Sequence, residues 1–164
     1  MGARGKKSIV RFKVRKAVIS DAKAIHSLVN AFANKNAMLP RSLNEIYENI
    51  RDFIVCTNNG TVIGVAALHI LWEDLAEIRS VAVSGKYQHR GIGKRLVRRS
   101  LREARALGIK RVFALTYNPG FFTELGFRDI DKNSLPHKIW GECLKCHKFP
   151  ECDESAVIID LDAG

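Results

Sequence analysis

Between residues 88 and 93 the sequence reads Gln-His-Arg-Gly-Ile-Gly, followed by Lys94. A glycine-bearing turn that opens a helix aims several backbone N–H groups at one place, where the helix dipole adds positive potential. Gly91 and Gly93 allow close backbone approach, and Arg90 and Lys94 add charge beside the turn. The chemistry is that of a phosphate or pyrophosphate cradle. The spacing fits neither a nucleotide P-loop, which needs Gly-Lys-Ser/Thr, nor the three-glycine dinucleotide fingerprint. Glu77, in the segment just before the turn, is a carboxylate that could accept a proton directly or through water. A surface sheet glutamate or a partner of Arg79 is the plainer alternative. A third cluster is Cys143-x2-Cys146-x5-Cys152, with His147 inside and His137 upstream. Three thiolates and one imidazole could hold a structural zinc, although the second half-site is missing. Reduced thiols packed in a loop are the simpler reading.

These residues need elements to position them. Ile9 to Val18 alternates apolar and basic residues as a half-buried strand does, and residues 1–7 form a basic tail expected to be disordered. Ser20 is placed to cap a helix carrying Ile25, Leu28, Val29 and Phe32 at helical spacing. Ser42 and Glu45 form a capping box for a second helix. Strands follow over Phe53–Thr57, Thr61–Leu71 and Leu75–Val83, the first two joined by an Asn-Asn-Gly turn. Gly91 to Leu107 is amphipathic and stops at Gly108. Arg111–Thr116, a short helix over Phe121–Leu125, then Phe127–Ile130 and Ala156–Leu161 complete the pattern. The order β-α-α-β-β-β-α-β-α-β-β predicts a mixed α/β (α+β) fold, with a mostly antiparallel mixed sheet flanked by helices. One domain over residues 8–164 is expected, with a Cys-containing insert at about 131–154.

The turn following Ala76-Glu-Ile-Arg-Ser-Val-Ala-Val83, with the later Phe121-Phe-Thr-Glu-Leu-Gly-Phe127, resembles the GCN5-related N-acetyltransferases over roughly Val10 to Ile130. The resemblance implies the GNAT acyl-CoA N-acyltransferase fold and acetyl-CoA as cosubstrate. Gln88, His89, Arg90, Gly91, Ile92, Gly93 and Lys94 would hold its pyrophosphate. Val81, Ala82 and Val83 would line the pantetheine arm, the Val81 and Val83 backbone pairing with it as an added strand does. Asn118 and Phe122 complete the implied cofactor set. By the same resemblance Glu77 is a general base, and the Val81 N–H could face the thioester oxygen. Where many members carry a tyrosine that protonates the leaving thiolate, this chain has Phe122; Thr116 and Tyr117 are the nearest hydroxyl-bearing substitutes, and water is another.

A narrower resemblance, to bacterial N-acetylglutamate synthases, rests on the same strands, on Asp131-Lys-Asn-Ser-Leu-Pro-His-Lys-Ile-Trp140, and on Leu39 to Ile50. It implies transfer of acetyl to the α-amine of L-glutamate, the first step of arginine biosynthesis. Arg41 would bind a glutamate carboxylate, Thr116 would replace a catalytic serine, and Arg79 and Lys138 would be further cations for the substrate. Longer members carry an amino-acid-kinase-like domain that senses arginine; this chain resembles a short form.

The 164 residues carry a net charge of +10, gathered in two islands: +7 over residues 1–16 and +9 over residues 86–111. A uniform nucleic-acid coat is therefore disfavoured, and nucleic acid is the weaker partner. The stripe Arg95, Arg98, Arg99 and Arg102 reads as a solvated helix face or, alternatively, a site for nucleic acid or an acidic partner. The longest apolar stretch is too short to span a bilayer, and the start has neither the apolar core of a signal peptide nor a myristoylation signal. A cytoplasmic protein acting on small molecules follows, with a homodimer among the assemblies allowed. The competing functions are acetylation of another amino acid, a polyamine or a protein N-terminus, and a non-catalytic acyl-CoA- or nucleic-acid-binding regulator.

Overall fold

The computed structural model describes residues 12–35, 38, 40–135 and 154–161. The basic tail, Lys138, His137 and the cysteine cluster with His147 lie outside the described residues. Four strands come first in space: β1 (Phe12–Lys16), β2 (Phe53–Asn58), β3 (Thr61–Trp72) and β4 (Leu75–Val83), each antiparallel to the next. Asn59 and Gly60, at φ 49° and 83°, make the two-residue turn whose twist matches a hairpin. After β4 the chain crosses through α3 (Ile92–Ala106) to β5 (Arg111–Thr116), which runs parallel to β4. α4 (Pro119–Thr123) leads to β6 (Arg128–Ile130), and β7 (Ser155–Asp160) inserts between β5 and β6. The result is a seven-stranded mixed sheet in the order β1-β2-β3-β4-β5-β7-β6. Its mixed character follows from one long crossover among hairpin connections.

Alternation along the strands divides the core between the two sheet faces. On one face, α1 (Ala22–Ala33) and α2 (Leu43–Glu48) bury Ile25, Val29 and Ile46 against Phe53, Val55, Val65 and Ala67. On the other, α3 sets Ile92 and Leu96 on Ile54, Cys56 and Ile63. The same helix sets Val97, Leu101 and Ala104 on Leu68, Ile78 and Val112. Each large aliphatic side chain so buried contributes about 2 kcal/mol, so this contact rather than helix propensity holds α3 in place. Burial also pushes the Cys56 thiol up, as desolvation disfavours the thiolate. That places Cys56 as a packing residue, as the strand pattern implies.

Ser42 caps α2 as expected, its hydroxyl accepting from Glu45 N at 3.1 Å. Ser20 does not cap α1. It lies in a 3-10 turn over Ile19–Asp21, and the residue ahead of the helix is Asp21. The Asp21 carboxylate accepts from Val18 N at 2.8 Å and from Arg15 at 2.7 and 3.0 Å. The carboxylate therefore serves the segment before α1, and α1 begins with no side-chain cap. The Arg15 guanidinium holds the Asp21 carboxyl below its usual range.

A folded-state value below the unfolded one stabilises the protein above the ordinary carboxylate range, an effect lost as pH falls through the lowered value. Asp21→Asn is therefore expected to cost about 1–2 kcal/mol at pH 7. The gap in melting temperature between wild type and variant should close as the pH is taken below the ordinary carboxylate range.

Candidate active site

Parallel pairing between β4 and β5 covers only Leu75–Glu77 against Arg111–Phe113. Beyond Glu77, β4 continues for six residues with no strand neighbour on that side among the described residues, and the strands diverge. A β-bulge accompanies the divergence. The register passes from Ala67↔Arg79 to Val65↔Ala82, and Ser80 sits at φ 57°. A non-glycine residue in the left-handed region costs about 1 kcal/mol or more, and bulges of this kind re-aim a strand beside functional sites. The extra residue reverses the parity of β4. Glu77 and Arg79 stand on the face of α1 and α2, as does Ala82, while Val81 and Val83 turn to the α3 side.

The Gln88–Lys94 turn lies just past the end of β4. His89 and Gly91 adopt φ 62° and 78°, and Gly91 is the N-cap of α3. The first intrahelical bond runs from Arg95 N to Gly91 O, so the amides of Ile92, Gly93 and Lys94 precede the ladder. The first turn of α3 contains no acidic residue. Gln88 reaches back, its Nε2 donating to Val83 O at 3.1 Å. A Cβ on Gly93 would come within 3.3 Å of the Phe121 ring, so glycine lets α3 and α4 close on each other here. The side chains of Ala82 and Ile92 are buried in the core, so these two residues present only backbone to the turn and the notch.

The cations beside the turn are already engaged. Arg90 and Lys86 lie over the Tyr87 ring at 5.7 and 5.4 Å from its centroid. Lys94 pairs with Glu124, whose exposed carboxyl is held below its usual range by that ammonium. Phe122 is 5% exposed and packed edge-on between Phe121 and Phe127. The ring that borders the turn is Phe121. Arg95, Arg98 and Arg102 are exposed, as a solvated helix face would be, whereas Arg99 is half-buried.

On the α1/α2 face, Glu77 lies between the core under those helices and a second cluster around Leu75, Phe113 and Leu135. Arg79 Nη1 is 3.9 Å from Glu77 Oε2, with side chains 11% and 14% exposed. Arg41, from the start of α2, enters the same hollow, which Glu45, Asn49, Asp52, Phe53 and Ala67 also line. Its guanidinium approaches Glu45 at 3.7 Å, and its backbone is clamped by Asn30 at 2.9 and 3.3 Å. Arg41 and Arg79 thus line one hollow, and Glu77 is the neighbour of Arg79. Thr116, at the end of β5, accepts from Asn118 N at 2.9 Å, and Asn118 Oδ1 caps α4. Tyr117 is 39% exposed beside them.

Sequence reasoning missed His69 and Asp52. His69 Nδ1 lies 2.6 Å from Asp52 Oδ2, and His69 is the register partner of Glu77. Counting back from the Trp72–Leu75 turn would have put Ile70 there; an irregularity between Ile70 and Trp72 brings His69 opposite instead. Among the described residues no three His, Cys, Asp or Glu side chains cluster as metal ligands, and no helix is long and apolar enough to cross a membrane.

The Acetyltransferase (GNAT) family pattern matches residues 23–127. The chain belongs to the GNAT acetyltransferase family. It is an acetyl-CoA-dependent N-acetyltransferase with the GNAT fold. It is 41% identical over 148 residues to an uncharacterized N-acetyltransferase of Chlorobaculum tepidum, covering 90% of this chain and 96% of that one. It is 39% identical over 137 residues to the amino-acid acetyltransferase of Mycobacterium tuberculosis, covering 82% and 78%. Among solved structures, a Mycobacterium tuberculosis protein in complex with CoA and NLQ superposes with TM-score 0.80 at 33% identity, covering 92% of this chain and 99% of that one. N-acetylglutamate synthase from Neisseria gonorrhoeae, complexed with coenzyme A and N-acetyl-glutamate, gives TM-score 0.84 at 27% identity. This GNAT chain matches only 35% of that longer protein.

The turn geometry can be tested without any ligand. Gly91→Ala should cost about 1 kcal/mol through its positive φ and lower the melting temperature by roughly 2–4 °C. Gly85→Ala, in open space at an ordinary φ, should leave it unchanged.

Proposed function

We propose that this enzyme transfers acetyl from acetyl-CoA to the α-amine of L-glutamate, as an N-acetylglutamate synthase does. The observation that carries the reading is the convergence of Arg41 and Arg79 on one hollow beside Glu77. A dicarboxylic amino acid asks for cations for its carboxylates and a base for its ammonium, and guanidinium matches carboxylate in bidentate geometry. The amino-acid acetyltransferase relative and the synthase neighbour bound to N-acetyl-glutamate support the same acceptor class.

In this mechanism the pantetheine arm lies along β4 in the notch, and the pyrophosphate meets the amides opening α3. The half-buried Glu77 takes a proton from the glutamate ammonium, and the freed lone pair attacks the thioester carbonyl. The Val81 N–H, beyond the bulge, faces the developing oxyanion. Collapse expels the CoA thiolate. Thr116 can protonate it, because its hydroxyl accepts the Asn118 bond and keeps its own proton to donate. Tyr117 and water are the other donors. Glu45, half exposed and 3.7 Å from Arg41, is the carboxylate that the substrate would replace.

A CoA-release assay over free amino acids tests the acceptor: glutamate should give the fastest thiol release. Release no faster than with glycine or water refutes the reading. Arg41→Ala should raise the KM for glutamate by about tenfold or more, the loss of one charge-assisted hydrogen bond, with the KM for acetyl-CoA nearly unchanged. Glu77→Gln should lower kcat by about a hundredfold or more. An unchanged rate would remove Glu77 as base.

A further inference from the structure

We infer that His69, held by Asp52, is the relay through which Glu77 returns its proton to solvent. The inference rests on the reading of Glu77 as the base. A carboxylate that takes a proton in every turnover must lose it before the next, and Glu77 is only 14% exposed, with Arg79 on one flank. The residue directly across the sheet is His69. Opposed residues of an antiparallel pair share a face, with Cβ atoms about 5 Å apart, which sets the imidazole beside the carboxyl.

The histidine is built for the role. Its Nδ1 is 2.6 Å from Asp52 Oδ2, and Asp52 is itself fixed in a 3-10 turn by a 2.9 Å bond from its N–H to Asn49 O. A carboxylate on Nδ1 selects the tautomer with hydrogen there, which leaves the Nε2 lone pair as acceptor. At 27% exposure the imidazole is wetter than Glu77, so it can exchange with bulk water. The charged groups facing this pair are Glu77 and Arg79 on β4, Asp52 in the turn before β2, and Arg41 and Glu45 of the α2 segment.

The N–H bond of the substrate ammonium breaks as an O–H bond forms on Glu77. That proton then passes to His69 Nε2, and the imidazolium, still bonded through Nδ1–H to Asp52, loses it to water. His69 never touches the acyl group and is a positioning residue for the base.

The test is a pH profile of kcat and kcat/KM for wild type, His69→Gln, His69→Ala, Asp52→Asn and Glu77→Gln, using the amino acid that gives the fastest thiol release. His69→Gln should lower kcat by about tenfold, with the KM for the amino acid changed less than about twofold and the acidic limb displaced. Asp52→Asn should move the same limb by a smaller amount. Imidazole added to His69→Ala should restore part of kcat, which a purely structural loss would not allow. Wild-type kcat in His69→Gln with an undisplaced limb, or a slow His69→Ala that imidazole leaves unchanged, overturns the relay alone. Full activity of Glu77→Gln overturns the base and the relay together.

Discussion

Everything in this structure turns on three residue pairs. β4 and β5 run parallel from Leu75 to Glu77 and then part. Backbone amides and carbonyls left along a divergence must find partners, and an extended arm carrying amides of its own is a suitable one. The bulge at Ser80 helps to drive the strands apart, since an extra residue bends and twists the strand that carries it. The strain stored there is small beside the packing of α3 against β2, β3 and β4, which keeps the sheet from closing up.

The same bulge separates two kinds of chemistry along one strand. Before it, Glu77 and Arg79 point to the α1/α2 face, where Arg41 and Asp52 line a hollow with Arg79 and His69 lies opposite Glu77. After it, Val81 and Val83 turn to the α3 face and lead to the Gln88–Lys94 turn. In the proposed mechanism, acceptor and cofactor approach from different sides of the sheet and meet at its edge. The net charge of +10 takes on a local meaning in this arrangement. At the turn it is backbone amides, with no acid in the first helical turn, that face a would-be phosphate, while Lys94 and Arg90 are occupied by Glu124 and Tyr87.

Much of this was legible in the sequence, for physical reasons that differ by element. Strand alternation and the amphipathic run of α3 placed each element to within a few residues, because burial on one face leaves a periodic trace. The Gly-Ile-Gly turn was legible because positive φ and close approach leave few alternatives. Ser20 was misplaced as a cap because local capping preference cannot register Arg15, five residues earlier but adjacent across the turn. His69 was hidden for a different reason. Its position opposite Glu77 depends on an irregularity near Leu71 that shifts the register by one residue, and such shifts leave no periodic signal.

The central claim, that CoA completes the sheet where β4 leaves β5, is tested most directly by amide hydrogen exchange with and without saturating CoA. The account predicts slowed exchange at the amides of Val81 and Val83, together with Gly91 to Lys94, while β1 and β2 stay unchanged. A CoA complex whose protection spares residues 78–83 would contradict it.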